Sequence, residues 1–134
     1  MRLSAGFALL IMLSPWGCDS VGPRAGTVSA TLRDTVLIAP AFLTYTLTND
    51  SRGAATVAAC AGRPLVDVED LATRIAFDPP CDITQTEPLP LAAGASYRDS
   101  VRIEATGIYR LWFYVRMTSP TVSTRLGSSP VRVR

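Results

Sequence analysis

The stretch from Ile108 to Arg116 constrains the fold of this chain more than any other. With side chains alternating at a period of two, Tyr109, Leu111, Phe113 and Val115 share one face. Ile108, Arg110, Trp112, Tyr114 and Arg116 share the other. Apolar residues on both faces place such a strand in the middle of a sheet. Similar alternation recurs in Thr27–Leu32, Phe42–Thr48, Tyr97–Ile103 and Pro130–Arg134. Leu43, Tyr45 and Leu47 form a core face in the second of these, and Val131 and Val133 point inward in the last. Asp99 falls on the apolar face of its strand, which puts the start of that strand at a sheet edge. Shorter candidates are Val36–Ile38, Ala55–Cys60, Leu65–Val68, Thr73–Phe77 and Thr121–Arg125. Glu69–Ala72 reads as a turn between two of them. In the turn Asn49–Gly53, Asn and Asp bond their own backbone and Gly53 supplies a positive φ. Asp78–Cys81 cannot lie in a central strand, because proline has no donor. Pro88–Gly94 reads as a loop with a brief extended stretch. Many short strands, with no long amphipathic helical pattern, give an antiparallel β-sandwich or barrel.

One segment, Thr106-Gly107-Ile108-Tyr109-Arg110-Leu111, resembles the tyrosine corner of immunoglobulin-like domains. The resemblance implies a hydrogen bond from the Tyr109 hydroxyl to the backbone a few residues upstream, with Gly107 and Leu111 flanking it. The expected fold is an immunoglobulin-like antiparallel sandwich of about seven to eight strands over residues 27–134.

The N-terminus has a different character. Met1-Arg2 is followed by the apolar run Phe7–Leu13 and then by Ser14-Pro15-Trp16-Gly17-Cys18. One positive charge, a short apolar run and a small residue before the cut make a secretory signal over residues 1–17. The run is shorter than the roughly 20 residues that a spanning helix needs. Gly17-Cys18 resembles the lipobox of bacterial lipoproteins, which implies acylation of Cys18, a lipid link to the membrane and a place in the cell envelope. Residues 18–26, rich in Gly and Pro, read as the tether.

The chain has three cysteines and no histidine. With Cys18 acylated, Cys60 and Cys81 remain as a pair, and an exported chain meets an oxidising compartment that joins them. The absence of histidine excludes a Ser-His-Asp or Cys-His mechanism within the chain and the usual Cys/His zinc sites. All thirteen basic residues are arginine, and the net charge of +2 gives no field to steer nucleic acid. No cofactor is expected.

Two clusters hold candidate chemistry. Asp67, Glu69 and Asp70, with Asp78 or Asp82, could offer oxygens to a hard cation or form a solvated strand face and turn. Arg110, Trp112, Tyr114 and Arg116 are either an exposed aromatic–arginine interface or a face covered by another layer. Asn49-Asp50-Ser51 fits a glycosylation sequon and also a turn.

The sequence motifs Leu43–Asn49, Leu91–Ser96 and Gly107-Ile108-Tyr109-Arg110-Leu111 occur in that order. They resemble the pattern of the intracellular proteinase inhibitor family, "L-T-N-x-(S/T)", "L-x-x-G-x-S" and "G-x-Y-x-L". The resemblance spans most of residues 35–117 and implies the fold. The expected function is a non-enzymatic binding or assembly module with an envelope partner, and the alternative is inhibition of an envelope protease.

Overall fold

A computed structural model describes residues 27–77, 80–118 and 121–134. The signal segment, Cys18, the tether and Asp78 lie outside the described residues. The strands are β1 (Val28–Leu32), β2 (Val36–Leu37), β3 (Ala41–Asn49), β4 (Ala55–Val57), β5 (Ala59–Cys60), β6 (Arg63–Pro64) and β7 (Asp67–Asp70). They continue with β8 (Ile75–Phe77), β9 (Leu89–Leu91), β10 (Ser96–Ile103), β11 (Gly107–Thr118), β12 (Thr121–Gly127) and β13 (Val131–Val133). One short 3-10 turn spans Ile83–Gln85.

Two layers enclose the core. The first is a three-stranded sheet in the order β1-β3-β10. The second is built around β11, which is flanked by β12 and β13 on one side and by β4 and β7 on the other. β2 runs parallel to β13 at one edge, with Arg132 opposite Val36. Three short bonds reinforce that pair: Arg132 N to Thr35 O at 2.9 Å, Arg134 N to Leu37 O at 2.9 Å and Ala39 N to Arg134 O at 2.7 Å. A first strand that pairs in one sheet and then crosses to the last strand of the other is an immunoglobulin-like arrangement, and the protein is an immunoglobulin-like β-sandwich.

Alternation decides which side chains enter the core. Leu43, Tyr45 and Leu47 from β3 face Leu111, Phe113 and Val115 from β11, all at most 2% exposed. The Tyr45 and Phe113 rings meet at 4.9 Å between centroids, tilted by 54°, an edge-inclined contact that adds to the area they bury. Tyr109 is also buried, and its hydroxyl donates to Ala105 O at 3.1 Å, closing the tyrosine corner.

Among the described residues the strands are more broken than the sequence pattern indicates, thirteen segments where about seven to eight are expected. Ala55–Cys60 is not one strand. After Val57 the chain leaves the sheet as the β5–β6 hairpin and returns at β7, still on the same side of β11. The excursion is tied down by the disulfide Cys60–Cys81, whose Cα atoms are 6.1 Å apart. β7 begins at Asp67 rather than Leu65 and runs through Asp70, so the turn lies at residues 71–74, with Arg74 at φ 61°. On the other side of β11 one extra residue is accommodated between β12 and β13. Ser128 fills the gap there: its N–H donates to Leu111 O at 2.9 Å and its hydroxyl accepts from Leu111 N at 3.0 Å, a side chain completing a bulged ladder.

Asp99 faces inward at the edge strand β10 because Arg63 crosses from the hairpin to meet it. Nε and Nη2 reach its two carboxylate oxygens at 2.7 Å each, a bidentate pair. Gly53 does not adopt the left-handed conformation expected of it; Gly62 and Gly94 do.

Candidate functional site

The outward face of the larger sheet carries the aromatic and arginine residues of β11, and no other described layer covers it. Tyr114 is 46% exposed and Ile108 39%; Arg116 is exposed, while Arg110 and Trp112 are partly buried. Strand pairing brings the acidic residues to the same face. Trp112 lies opposite Asp67 of β7 and Gly127 of β12, Arg110 opposite Glu69, and Tyr114 opposite Arg125. Two clusters that are 40 or more residues apart in the chain are thus one surface.

Trp112 is held from three directions. Its indole Nε1 donates to Glu69 Oε2 at 2.6 Å. The Arg125 guanidinium stacks 4.3 Å from the ring centroid, and that of Arg110 lies at 5.6 Å, both within cation–π range. Gly127 sits beneath the ring: a Cβ there would come within 2.7 Å of Cζ3. A larger residue at that position would displace the ring; the constraint is close approach, not backbone conformation. The Trp112 hydrogen bond, with help from Arg74 at 3.5 Å, holds the Glu69 carboxyl below the usual carboxylate range. Tyr114 donates its hydroxyl to Asp67 Oδ2 at 2.9 Å, and Arg125 Nη2 lies 3.7 Å from the same oxygen. The Arg110 Nε atom is buried without a hydrogen-bond partner.

A cleft of about 380 Å³ adjoins this cluster, between Tyr114, Arg116 and Arg125 on one side and Thr56, Ala58 and Pro88 on the other. The result is a shallow surface of flat rings and planar cations, fixed in place by carboxylates. Such groups lose little rotamer freedom on contact, which suits them to anchoring a partner.

The acidic residues do not converge. Asp67 and Glu69 are engaged with the rings. Asp70 Oδ1 accepts from Ala72 N at 2.9 Å in the turn, and Asp82 Oδ1 accepts from Thr84 N at 2.9 Å and from its hydroxyl at 2.8 Å. Among the described residues no three potential ligands come together at a metal-binding distance. Asn49 is fully buried, and its amide nitrogen donates to Gly53 O and Leu91 O, both at 2.9 Å, so in the folded chain it is not available to a glycan.

Sequence reasoning missed Arg125 and Gly127. The signal was present in the alternation of β12, which sets Ser123, Arg125 and Gly127 on one face, but it needed the β11–β12 register to connect them to Trp112.

No family model matches the chain, and no curated protein is significantly similar to it. Among solved structures it is similar to the ASH / PapD-like domain of human CEP192 (PapD-like domain 7). That similarity covers all of this chain and 98% of the other, at 11% identity and a TM-score of 0.35.

Proposed function

We propose that this chain is an envelope lipoprotein, anchored through lipid on Cys18, whose sandwich is a non-enzymatic binding or assembly module. The partner docks on the outward face of β11, where Arg110, Trp112, Tyr114 and Arg116 converge with Arg125. The observation that carries this reading is the exposed cluster in which Trp112 lies between Glu69 and the Arg125 guanidinium. Pre-ordered aromatic and arginine side chains of this kind dominate binding energy at interfaces. The signal pattern over residues 1–17 supports the anchor.

The test is cross-linking in intact cells, followed by mass spectrometry of what stays attached. The chain as it stands is compared with the Trp112→Ala and Arg116→Glu variants. A discrete envelope protein is expected with the unaltered chain, its recovery falling about tenfold or more in the variants. Equal recovery of background alone from all three would end the stable-partner reading. A protease in the complex, inhibited stoichiometrically, would replace the assembly role with inhibition. Cys18→Ala should move the chain from the membrane fraction to the soluble one.

A further inference from the structure

Among the described residues most strand edges are short or covered. β2, β8 and β9 have two or three residues each. β10 lies beside the β5–β6 hairpin, and Arg63 Nη2 takes its Ser100 carbonyl at 3.1 Å. β12 is different. It has seven residues, it is bonded to β11 on one side, and no backbone hydrogen bond reaches its other side from a described residue. Natural edges are blunted by charged side chains, proline or bulges. Thr121–Gly127 contains no proline, its one charge, Arg125, lays its guanidinium over the Trp112 ring of β11, and the bulge comes after it, at Ser128.

The direction of its free groups follows from β11. Tyr114 O accepts from Ala58 N and Thr118 N donates to Ala54 O, so even-numbered residues of β11 bond toward β4. Leu111 bonds Ser128, so odd-numbered residues bond toward β12. Phe113, Val115 and Met117 lie opposite Leu126, Thr124 and Val122. Those three spend their N–H and C=O groups on β11. Thr121, Ser123, Arg125 and Gly127 therefore hold theirs out to the free edge.

We propose that this edge pairs with the same edge of a second copy of the chain, antiparallel, about a two-fold axis through Thr124. In that register Ser123 lies opposite the second copy's Arg125, and Thr121 opposite its Gly127. Every outward residue then meets an outward residue, closing a ladder of about eight hydrogen bonds. The side chains agree with the register. Val122 is 49% exposed although it belongs to the core-facing row, and it meets the second copy's Leu126. Arg125 meets a serine; an axis moved to Arg125 would oppose two guanidiniums. An axis between residues would set outward groups against inward ones. The pairing is isologous and closes at two copies. It joins the larger sheets of the two copies into one and doubles the aromatic–arginine surface on a single side.

The experiment is sedimentation of the full chain over a range of concentrations up to about 1 mM, a range that spans weak association, with two variants. Ser123→Pro removes one outward N–H without touching the bonds to β11, a position where a strand tolerates proline. Thr124→Cys places two thiols at the non-hydrogen-bonded position on the axis, where strands approach most closely. The expected result is a mass of two chains for the unaltered protein, half that mass for Ser123→Pro, and a covalent dimer on oxidation of Thr124→Cys that Thr121→Cys does not form. A chain of single mass at every concentration overturns the proposal. So does a dimer indifferent to Ser123→Pro. If that variant does not fold, the difference between the two cysteine variants decides the matter.

Discussion

Replacing Asn49 with alanine should cost this domain as much as truncating a large core side chain. The side chain is fully buried at the end of β3. Its amide nitrogen donates to Gly53 O and Leu91 O at 2.9 Å, and its Oδ1 accepts from Ser51 N at 3.0 Å and from Ser51 Oγ at 2.6 Å. Alanine removes all four bonds and leaves the Leu91 carbonyl and the Ser51 amide buried. A hydrogen bond is worth about 1 kcal/mol net, and an orphaned buried group costs about 1–3 kcal/mol. The Ser51 hydroxyl has one proton, and with Asn49 gone it turns to Gly53 O, 2.9 Å away, which limits the loss. The expected destabilisation is therefore about 3–5 kcal/mol, against a total of about 5–15 kcal/mol for a domain. At a urea dependence of about 1.5 kcal/mol per molar, the midpoint should fall by about 2–3 M. Equilibrium unfolding followed by circular dichroism measures it. A loss below about 1 kcal/mol would refute the reasoning, because it would mean that water replaces the side chain at no cost.

Three further outcomes are expected. Gly127→Ala should push the Trp112 ring off its seat and break its bond to Glu69, costing about 1–3 kcal/mol and altering the near-ultraviolet circular dichroism of Trp112; an unchanged spectrum would remove Gly127 from the site. Cys60→Ser combined with Cys81→Ser opens a loop with a sequence separation of 21 residues and should cost about 3 kcal/mol by chain entropy, read in the same urea titration. Asp99 and Glu69 are both held below the usual carboxylate range, Asp99 mainly by its hydrogen bonds from Arg63 and Glu69 mainly by that from Trp112. A depressed folded pKa stabilises above the unfolded value of about 4 and stops doing so as pH falls through the folded one. The melting temperature should thus be flat from neutral pH to about 5 and drop below about 4, and Asp99→Asn should flatten that drop.

The sequence was most legible where burial is one-sided. Leu43, Tyr45 and Leu47 announce their facing because a shift of one residue would turn the whole apolar set to water; in β11 the two faces were legible, but with apolar residues on both, the choice of the buried one was not. The tyrosine corner was legible because Gly107 and Tyr109 carry it locally. The turn motifs were legible as a pattern but not as a mechanism. Thr48 meets Ser96 at 3.1 Å, Gly94 N donates to Asn49 O at 2.7 Å, and Asn49 reaches Leu91, so the two separated motifs are halves of one polar lock. The hairpin excursion after Val57 could not be read, because Ala55–Cys60 is small and, apart from Thr56, apolar throughout and gives no signal for leaving a sheet. The inward Asp99 and its place at a sheet edge followed from the alternation, but its partner Arg63, which comes from that unread hairpin, did not. The site itself was half legible. The ring and arginine face of β11 stood out, but its joining to Asp67, Glu69 and Arg125 is a matter of register between distant strands, which side-chain pattern alone does not encode.

The parallel pairing of β2 with β13 has a mechanical consequence. Load applied between the two ends of the folded domain runs along these strands in opposite directions, so it shears the pair instead of unzipping it. The bonds from Arg132, Arg134 and Ala39 then stretch together, and none can fail before its neighbours share the strain. Extraction by force is limited by how fast such a clamp opens, not by the equilibrium stability of the whole sandwich. A domain tethered on the N-terminal side and pulled from the other end would hold at forces that peel an ordinary hairpin apart.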